Sequence, residues 1–208
     1  MRLFLNGNRV WFYGLLFSLT ACTGVTVKES EPANEAAFEA RTANLVVITQ
    51  WGLSGKISLD DGNEGGSGKL RWDVEPGRSQ LDFHGAFGRG AWQLSVGPEG
   101  ALLRMADGTE QLTAGVDELI REHIGWPVPL DALKWWVRGL AAPGLVEDKQ
   151  IDANGLLLSL QQFGWSVNFN RYDAAGEFEL PVRIEATRNN HRVKLAISRW
   201  RVHADNDL

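Results

Sequence analysis

The sequence predicts a mainly β domain, folded as a curved antiparallel sheet or open barrel, and three observations lead there. A strict period-two alternation of apolar and polar residues starts at Trp51 and recurs in ten or eleven short segments. Gly-, Asn- and Asp-rich turns separate those segments at close intervals, which suits antiparallel hairpins rather than parallel βαβ units. Two helical stretches interrupt the strands once, near the middle of the chain. At 208 residues a single domain is the default.

The elements follow in order. A helix is expected after Pro32, with Phe38 and Leu45 seven residues apart on one face, serving as a lid or packing helix. Trp51, Leu53, Gly55, Ile57 and Leu59 then mark one face of a strand, and "DDGNEGGSG" reads as a glycine-rich hairpin turn into a strand over 69–74 with Leu70, Trp72 and Val74 on one face. "EPGRS" turns the chain again. Leu81 and Phe83 lead into the loop "HGAFGRG", and Trp92, Leu94 and Val96 lead out of it on a strand that stops at "GPEG". Strands over 101–106 and 109–113 are joined at Asp107-Gly108, a two-residue hairpin signal. Beyond Gly115 the period lengthens. Val116, Leu119 and Ile120 form one helical face, and after "GWPVP" a second helix runs through Leu130, Leu133 and Trp136 to Gly139. Strands resume up to Ile151, turn at Asn154-Gly155, and continue through "LLLSLQQ", "WSVNFNRY", "LPVRIEAT" and "HRVKLAISRW", the last pair joined at Asn189-Asn190.

The first 21 residues read differently. Arg2 and Arg9 form a basic start, residues 10–19 an apolar run of about ten, and Leu19-Thr20-Ala21 small residues before Cys22. About ten apolar residues fall short of the roughly twenty that cross a bilayer as a helix. The end resembles a bacterial lipobox, which makes 1–21 a signal peptide, Cys22 a lipidated first residue, 22–34 a small, acidic tether and 35–208 the folded domain. Thr23 after the cysteine is not the aspartate that marks inner-membrane retention, so the outer membrane is expected. Removing Arg2 and Arg9 leaves 19 basic against 26 acidic side chains, and the mature chain near -7. Nucleic acid is an unexpected partner at that charge, and an anionic membrane surface repels it, so anchoring falls to the acyl chains.

No catalytic or cofactor pattern emerges. The four histidines, His84, His123, His191 and His203, lie far apart with no metal-ligand spacing. "GGSGK" at Lys69 lacks the first glycine and the hydroxyl residue of a phosphate loop. There is no G-x-S-x-G elbow, the only cysteine is Cys22, and the Asp60–Asp61 pair sits in a glycine-rich turn. Binding is favoured over catalysis, with no metal and no cofactor.

Several stretches together resemble the outer-membrane lipoprotein receptor LolB family: the lipobox at Leu19 to Cys22, "WGLSGKISL" from Trp51, "GKLRWD" from Gly68, "GAFGRGAWQL" from Gly85, "GWPVPLDALKWWVRGL" from Gly125, and "LPVRIEAT" with "VKLAISRW" at the end. The resemblance covers nearly the whole mature chain, and its central block is the most specific part. It implies an incomplete antiparallel β-barrel of about eleven strands with helices closing the open side. It also implies a receptor that accepts lipoproteins from the periplasmic carrier LolA, holds their acyl chains in an apolar cavity and inserts them into the outer membrane as a monomer facing the periplasm.

On that implication the strand positions expected to face the cavity are Trp51, Trp72, Phe83, Trp92, Leu94, Leu158, Trp165, Val167, Ile184 and Leu195, with Trp135 and Trp136 capping it or docking their helix. Each serves equally well as ordinary core. The family's protruding loop carries an exposed apolar residue, usually leucine, that promotes membrane insertion, and Phe87 stands in that place. An alternative is an assembly or structural lipoprotein with a solid core.

Overall fold

The computed structural model describes residues 32–85, 90–113, 115–123 and 128–203. Cys22, the loop residue Phe87 and Trp126 lie outside them.

A helix, α1 (Pro32–Val46), leads into six consecutive antiparallel strands: β1 (Gln50–Asp60), β2 (Gly65–Glu75), β3 (Arg78–Gly85), β4 (Trp92–Gly97), β5 (Gly100–Met105) and β6 (Glu110–Thr113). Two short helices, α2 (Val116–His123) and α3 (Leu130–Trp136), precede five more: β7 (Asp148–Ile151), β8 (Leu157–Gln162), β9 (Trp165–Ala175), β10 (Phe178–Arg188) and β11 (His191–His203). All eleven strands form one sheet in the order β6-β5-β4-β3-β2-β1-β11-β10-β9-β8-β7. Each half is a meander of neighbouring hairpins, and the halves join where β1 pairs with β11 along Gln50↔His203 to Asp60↔Arg192.

That order explains the position of the helices. The chain leaves the sheet at one edge, β6, and re-enters at the other, β7, so the segment carrying α2 and α3 spans the gap between the two edges. The accumulated right-handed twist of eleven strands curls the sheet toward a barrel. β6 and β7 are not hydrogen-bonded to each other, and the helices occupy the open side.

Curvature is concentrated where side chains are missing. The β1–β11 register shifts between Ser54 and Gly55, and any Cβ at Gly55 would collide with the Ala196 carbonyl. At Gly68 a Cβ would lie 2.6 Å from the Phe83 ring, so the glycine admits that ring over β2.

Three turns differ from the sequence reading. Gly65–Gly68 are paired strand residues facing Asp60 to Ile57, and only 61–64 turn. The reason is Asp61, whose carboxylate accepts from the backbone N–H of Asn63 at 2.8 Å and of Glu64 at 2.7 Å and, with the Asp61 N–H to Glu64 O bond at 3.1 Å, closes a tight turn. Those backbone hydrogen bonds hold its carboxyl below its ordinary pKa. The Asp107-Gly108 connection is a loop over 106–109 stitched by Met105 N–H to Thr109 O at 2.8 Å. Asn154-Gly155 lies within a loop over 152–156 organised by Asp152, which accepts from Asn154 and Leu156 N–H at 2.9 and 2.8 Å. In both loops an aspartate side chain adds to the backbone bonds, Asp107 accepting from Thr109 N–H at 2.9 Å and Asp152 closing a wider loop than a two-residue turn. Asn189-Asn190 is the expected two-residue turn, with Asn189 at φ 52.

α1 begins at Pro32, inside the stretch read as tether. It docks through Phe38 and Leu45, which are 7% and 1% exposed. Lys149 on β7 ties its first turn by an ion pair to Glu35 at 2.7 Å and lies 4.6 Å from the Phe38 ring centroid. No helix among the described residues is long and apolar enough to cross a membrane.

Candidate functional site

The inner face of the curled sheet is the candidate site. Alternation aims Trp51, Leu53 and Ile57 of β1, Leu70 and Trp72 of β2, Leu81 of β3, Leu94 of β4 and Leu103 of β5 inward, and all are buried. From the other half Trp165, Val167, Ile184 and Leu195 join them. Together with Trp136 of α3 they belong to one continuous apolar cluster. Among the described residues only Ser79, Arg138 and Gln162 are buried with polar or charged side chains.

Most sequence-expected interior positions therefore converge. Trp51 meets Trp72 edge-on at 5.3 Å between centroids and Trp200 at 5.8 Å, and Phe83 stacks on Trp92 at 5.3 Å where β3 and β4 lead to residues 86–89. Phe83 is half-buried. Leu158 is a correction: it is 47% exposed on the outer face, while Leu157 and Leu160 point inward. The register shift between Gln150 and Ile151, opposite Leu157, displaces the alternation there, and three consecutive leucines gave the sequence no way to say which faced in.

The buried polar groups are those the pattern could not reveal, and the side chains of Ser79, Gln162 and Arg138 each find partners. Trp72 Nε1 donates to Ser79 Oγ at 2.8 Å, one strand away. Gln162 joins three elements: its Oε1 accepts from Trp136 Nε1 at 2.9 Å and from Ala142 N–H at 3.0 Å, and its Nε2 donates to Ala142 O at 2.7 Å. This pins α3 and the segment after it to β8. Trp165 Nε1 is buried without an acceptor among the described residues.

Arg138 sits two residues beyond α3 at the mouth of the curl. Its Nη1 donates to Leu45 O at 3.1 Å, which also accepts the Ile48 N–H, and to Ile48 O at 3.3 Å just beyond the end of α1, and its Nε donates to Lys134 O at 3.1 Å. The guanidinium carbon lies 5.0 Å from the Trp135 ring centroid and 5.7 Å from that of Trp51. Burial lowers its pKa to about 10, so it stays charged at neutral pH. The only sequence signal was an arginine in the "WWVRGL" block.

Two clefts open beside this junction. One of about 410 Å³ runs from Val46, Ile48 and Arg138 down to the inward-facing Trp51, Val74 and Val96. The other, about 600 Å³, lies between α2, α3 and the Pro143–Phe163 region and is apolar at Val128, Ala132, Trp135 and Phe163. No group of three His, Cys, Asp or Glu side chains able to hold a metal occurs among the described residues.

The class of fold is a curled antiparallel sheet with an apolar inner face and helices across its open side. A solved structure described as a putative outer membrane lipoprotein-sorting protein domain from Vibrio parahaemolyticus superposes with a TM-score of 0.55 at 10% identity, covering 85% of this chain and 94% of that one. The family follows from sequence. Residues 49–200 match the family model for outer membrane lipoprotein LolB. Among similar relatives, the outer-membrane lipoprotein LolB of Pseudomonas aeruginosa is 32% identical over 96% of both chains, and that of Stutzerimonas stutzeri 31% over 89% of this chain and 91% of its own. The chain belongs to the LolB family of outer-membrane lipoproteins.

Proposed function

We propose that this protein accepts lipoproteins from a periplasmic carrier of the LolA type, shields their acyl chains against the inner face of its sheet and passes them to the outer membrane without catalysing a reaction. The observation that carries the reading is the composition of that inner face. From Trp51 to Leu195 it is apolar across both halves of the sheet, no buried carboxylate interrupts it among the described residues, and a mouth opens onto it beside Trp51.

The physics favours such a device. Two or three long acyl chains expose tens of methylenes, each stabilised by about 0.8 kcal/mol on leaving water. Such cargo does not cross an aqueous compartment bare, and it moves downhill if carrier, receptor and bilayer bind it successively more tightly. The cleft lined by Trp51, Val74, Val96 and Trp135 is the proposed entrance. Cargo entering there meets the Arg138 junction, so α1 and α3 must give way together.

Anchoring is assigned to Cys22 and membrane insertion to Phe87. One aromatic ring adds at most a few kcal/mol of bilayer affinity, enough to bias the direction of release.

Trp72, Trp136 and Trp165 are all 0% exposed, and this favours the second reading, an assembly lipoprotein with a permanently filled core. Purified mature protein separates the two. The transfer reading expects copurified lipoprotein by mass spectrometry and saturable uptake of a fluorescent fatty-acid probe; absence of both supports the filled core. Phe87→Glu should leave cargo binding intact and slow delivery to vesicles, and equal loss of both steps would remove the separate role.

A further inference from the structure

The outer face of the sheet carries an unbroken row of registered partners across six strands. His84 stands opposite Lys69, Lys69 opposite Lys56, Lys56 opposite Ala196, Ala196 opposite Arg183 and Arg183 opposite Arg171. At ~4.8 Å per strand the row runs about 24 Å. Every member but Ala196 is exposed. Arg71 and Arg199 flank the row around one shallow depression, whose lining holds six lysines and arginines (Lys56, Lys69, Arg71, Arg171, Arg183, Arg199) against two carboxylates, Asp82 and Asp173.

This concentration is not a by-product of composition, because the whole chain carries -5. Nor does it help the sheet, since like charges directly opposite one another on neighbouring strands are destabilising. In the neighbourhood of the last hairpin the same problem is solved: Arg192 and Lys194 both reach Glu185, at 3.3 and 3.6 Å. Along the row, Arg171 approaches Asp173 at 3.4 Å and Asp82 is engaged by Gln80 and Gln93, whereas Lys56, Lys69, Arg183 and Arg199 form no ion pair among the described residues.

We propose that this cationic row seats the anchored protein on the anionic phospholipid headgroups of its own membrane. The inference rests on the lipid-anchored reading but not on cargo binding. An anchored chain has a phosphate plane permanently within reach: residues 22–31 precede α1 and span at most about 36 Å when extended. The face also suits headgroups better than a folded partner. Its charges stand on long stems in a nearly straight line, and the one aromatic of its lining, Trp200, is half-buried with its Nε1 donating to Pro181 O at 2.9 Å. Each lysine or arginine near an anionic surface strengthens association roughly fivefold at low salt, an effect that dies away within a Debye length, so the nearby row outweighs the distant net negative charge. Seated this way, the helices on the opposite face of the sheet turn toward the periplasm.

The test uses mature lipidated protein in vesicles. Because Cys22 is the only cysteine and is acylated, Ser198→Cys on this face and Leu145→Cys elsewhere accept single fluorophores. Vesicles carry a nitroxide-headgroup quencher in phosphatidylcholine, with or without about one third phosphatidylglycerol. The expected result is strong quenching at 198 only, only in the anionic vesicles, falling to the level at 145 in high salt and in the variant K56E/K69E/R183E, with K56Q/K69Q/R183Q between. Circular dichroism and fatty-acid probe uptake should be unchanged in both variants. Quenching at 198 no greater than at 145, equal quenching in neutral vesicles, or quenching that survives charge reversal would each overturn the proposal. If charge reversal instead weakens only capture from the carrier, the row serves an acidic protein and the membrane assignment falls. If wild type takes up no probe but label 198 is still quenched, transfer falls and the seating stands.

Discussion

Arg138 Nη1 lies 3.1 Å from the carbonyl oxygen of Leu45, joining the end of α3 to the end of α1 across 93 residues of sequence. A positive charge at the negative end of a helix is favourable, and here it also donates to the carbonyls of Leu45 and Ile48 in a buried setting. The two helices are coupled by this side chain.

Arg138→Met should therefore remove the charged donor from Leu45 O, which keeps the Ile48 N–H, and from Ile48 O, and lose the contacts with Trp51 and Trp135. Hydrogen bonds from a charged group are worth about 1.5–3 kcal/mol, so a loss of about 3 kcal/mol in urea unfolding is expected, with faster amide exchange in α1 than in β1. Uniform exchange in both elements would show that the helices are not released as a unit.

Gln162→Leu tests the second junction. It leaves Trp136 Nε1 and both backbone groups of Ala142 buried without partners, at about 1–3 kcal/mol for each group not reached by water. Unfolding free energy should fall by at least about 2 kcal/mol. A neutral substitution would mean the junction already contains water.

Gly55→Ala and Gly66→Ala form a matched pair. A Cβ at Gly55 collides with backbone atoms of Ala196 and Ile197, whereas at Gly66 nothing lies within 4 Å. The first should destabilise by roughly 2 kcal/mol or more, and the second should stay within about 0.5 kcal/mol. Similar effects at both sites would refute close strand approach as the source of the curl.

Asp73 gives the pH dependence. Burial raises its pKa, but hydrogen bonds from Arg71 at 2.6 Å and Arg201 at 2.6 Å outweigh that, and its carboxyl titrates below the ordinary 3.8. A depressed carboxylate contributes stability that is fully present above its unfolded pKa and is lost as pH falls through the folded one. Asp73→Asn should thus be less stable than wild type above about pH 5, with the gap closing below about pH 3. Since Asp73 is about one third exposed, a modest gap of about 1 kcal/mol is expected in chemical denaturation at each pH. A gap independent of pH would assign the effect to shape rather than charge.

Much of the architecture was legible in the sequence because antiparallel hairpins write themselves locally: Trp51 to Leu59 alternates, Asn189-Asn190 turns, and the two helical periods stand apart from both strand blocks. Turn lengths were less legible, since Asp61 and Asp152 add side-chain hydrogen bonds to the backbone closure of their loops, which no turn dipeptide announces. Leu158 failed because period-two reasoning breaks at an irregular register in an all-leucine run. The apolar inner face could be read from alternation, but the couplings made by Arg138 and Gln162 could not, because each links elements distant in sequence. The cationic row was equally hidden. It exists only once six strands are placed in register, and the net charge pointed the other way.

The central claim is that acyl chains part the packed inner face and enter among Trp51, Trp72, Trp92, Trp136 and Trp165, and brominated acyl chains test it most directly because bromine quenches indole only at contact range. Titrating mature protein with a lipoprotein carrying brominated acyl chains should quench most of the tryptophan emission saturably, at one cargo per chain, and Leu94→Trp should increase the fraction quenched. Quenching that never saturates, or that leaves the buried tryptophans bright while cargo is demonstrably bound, would contradict it.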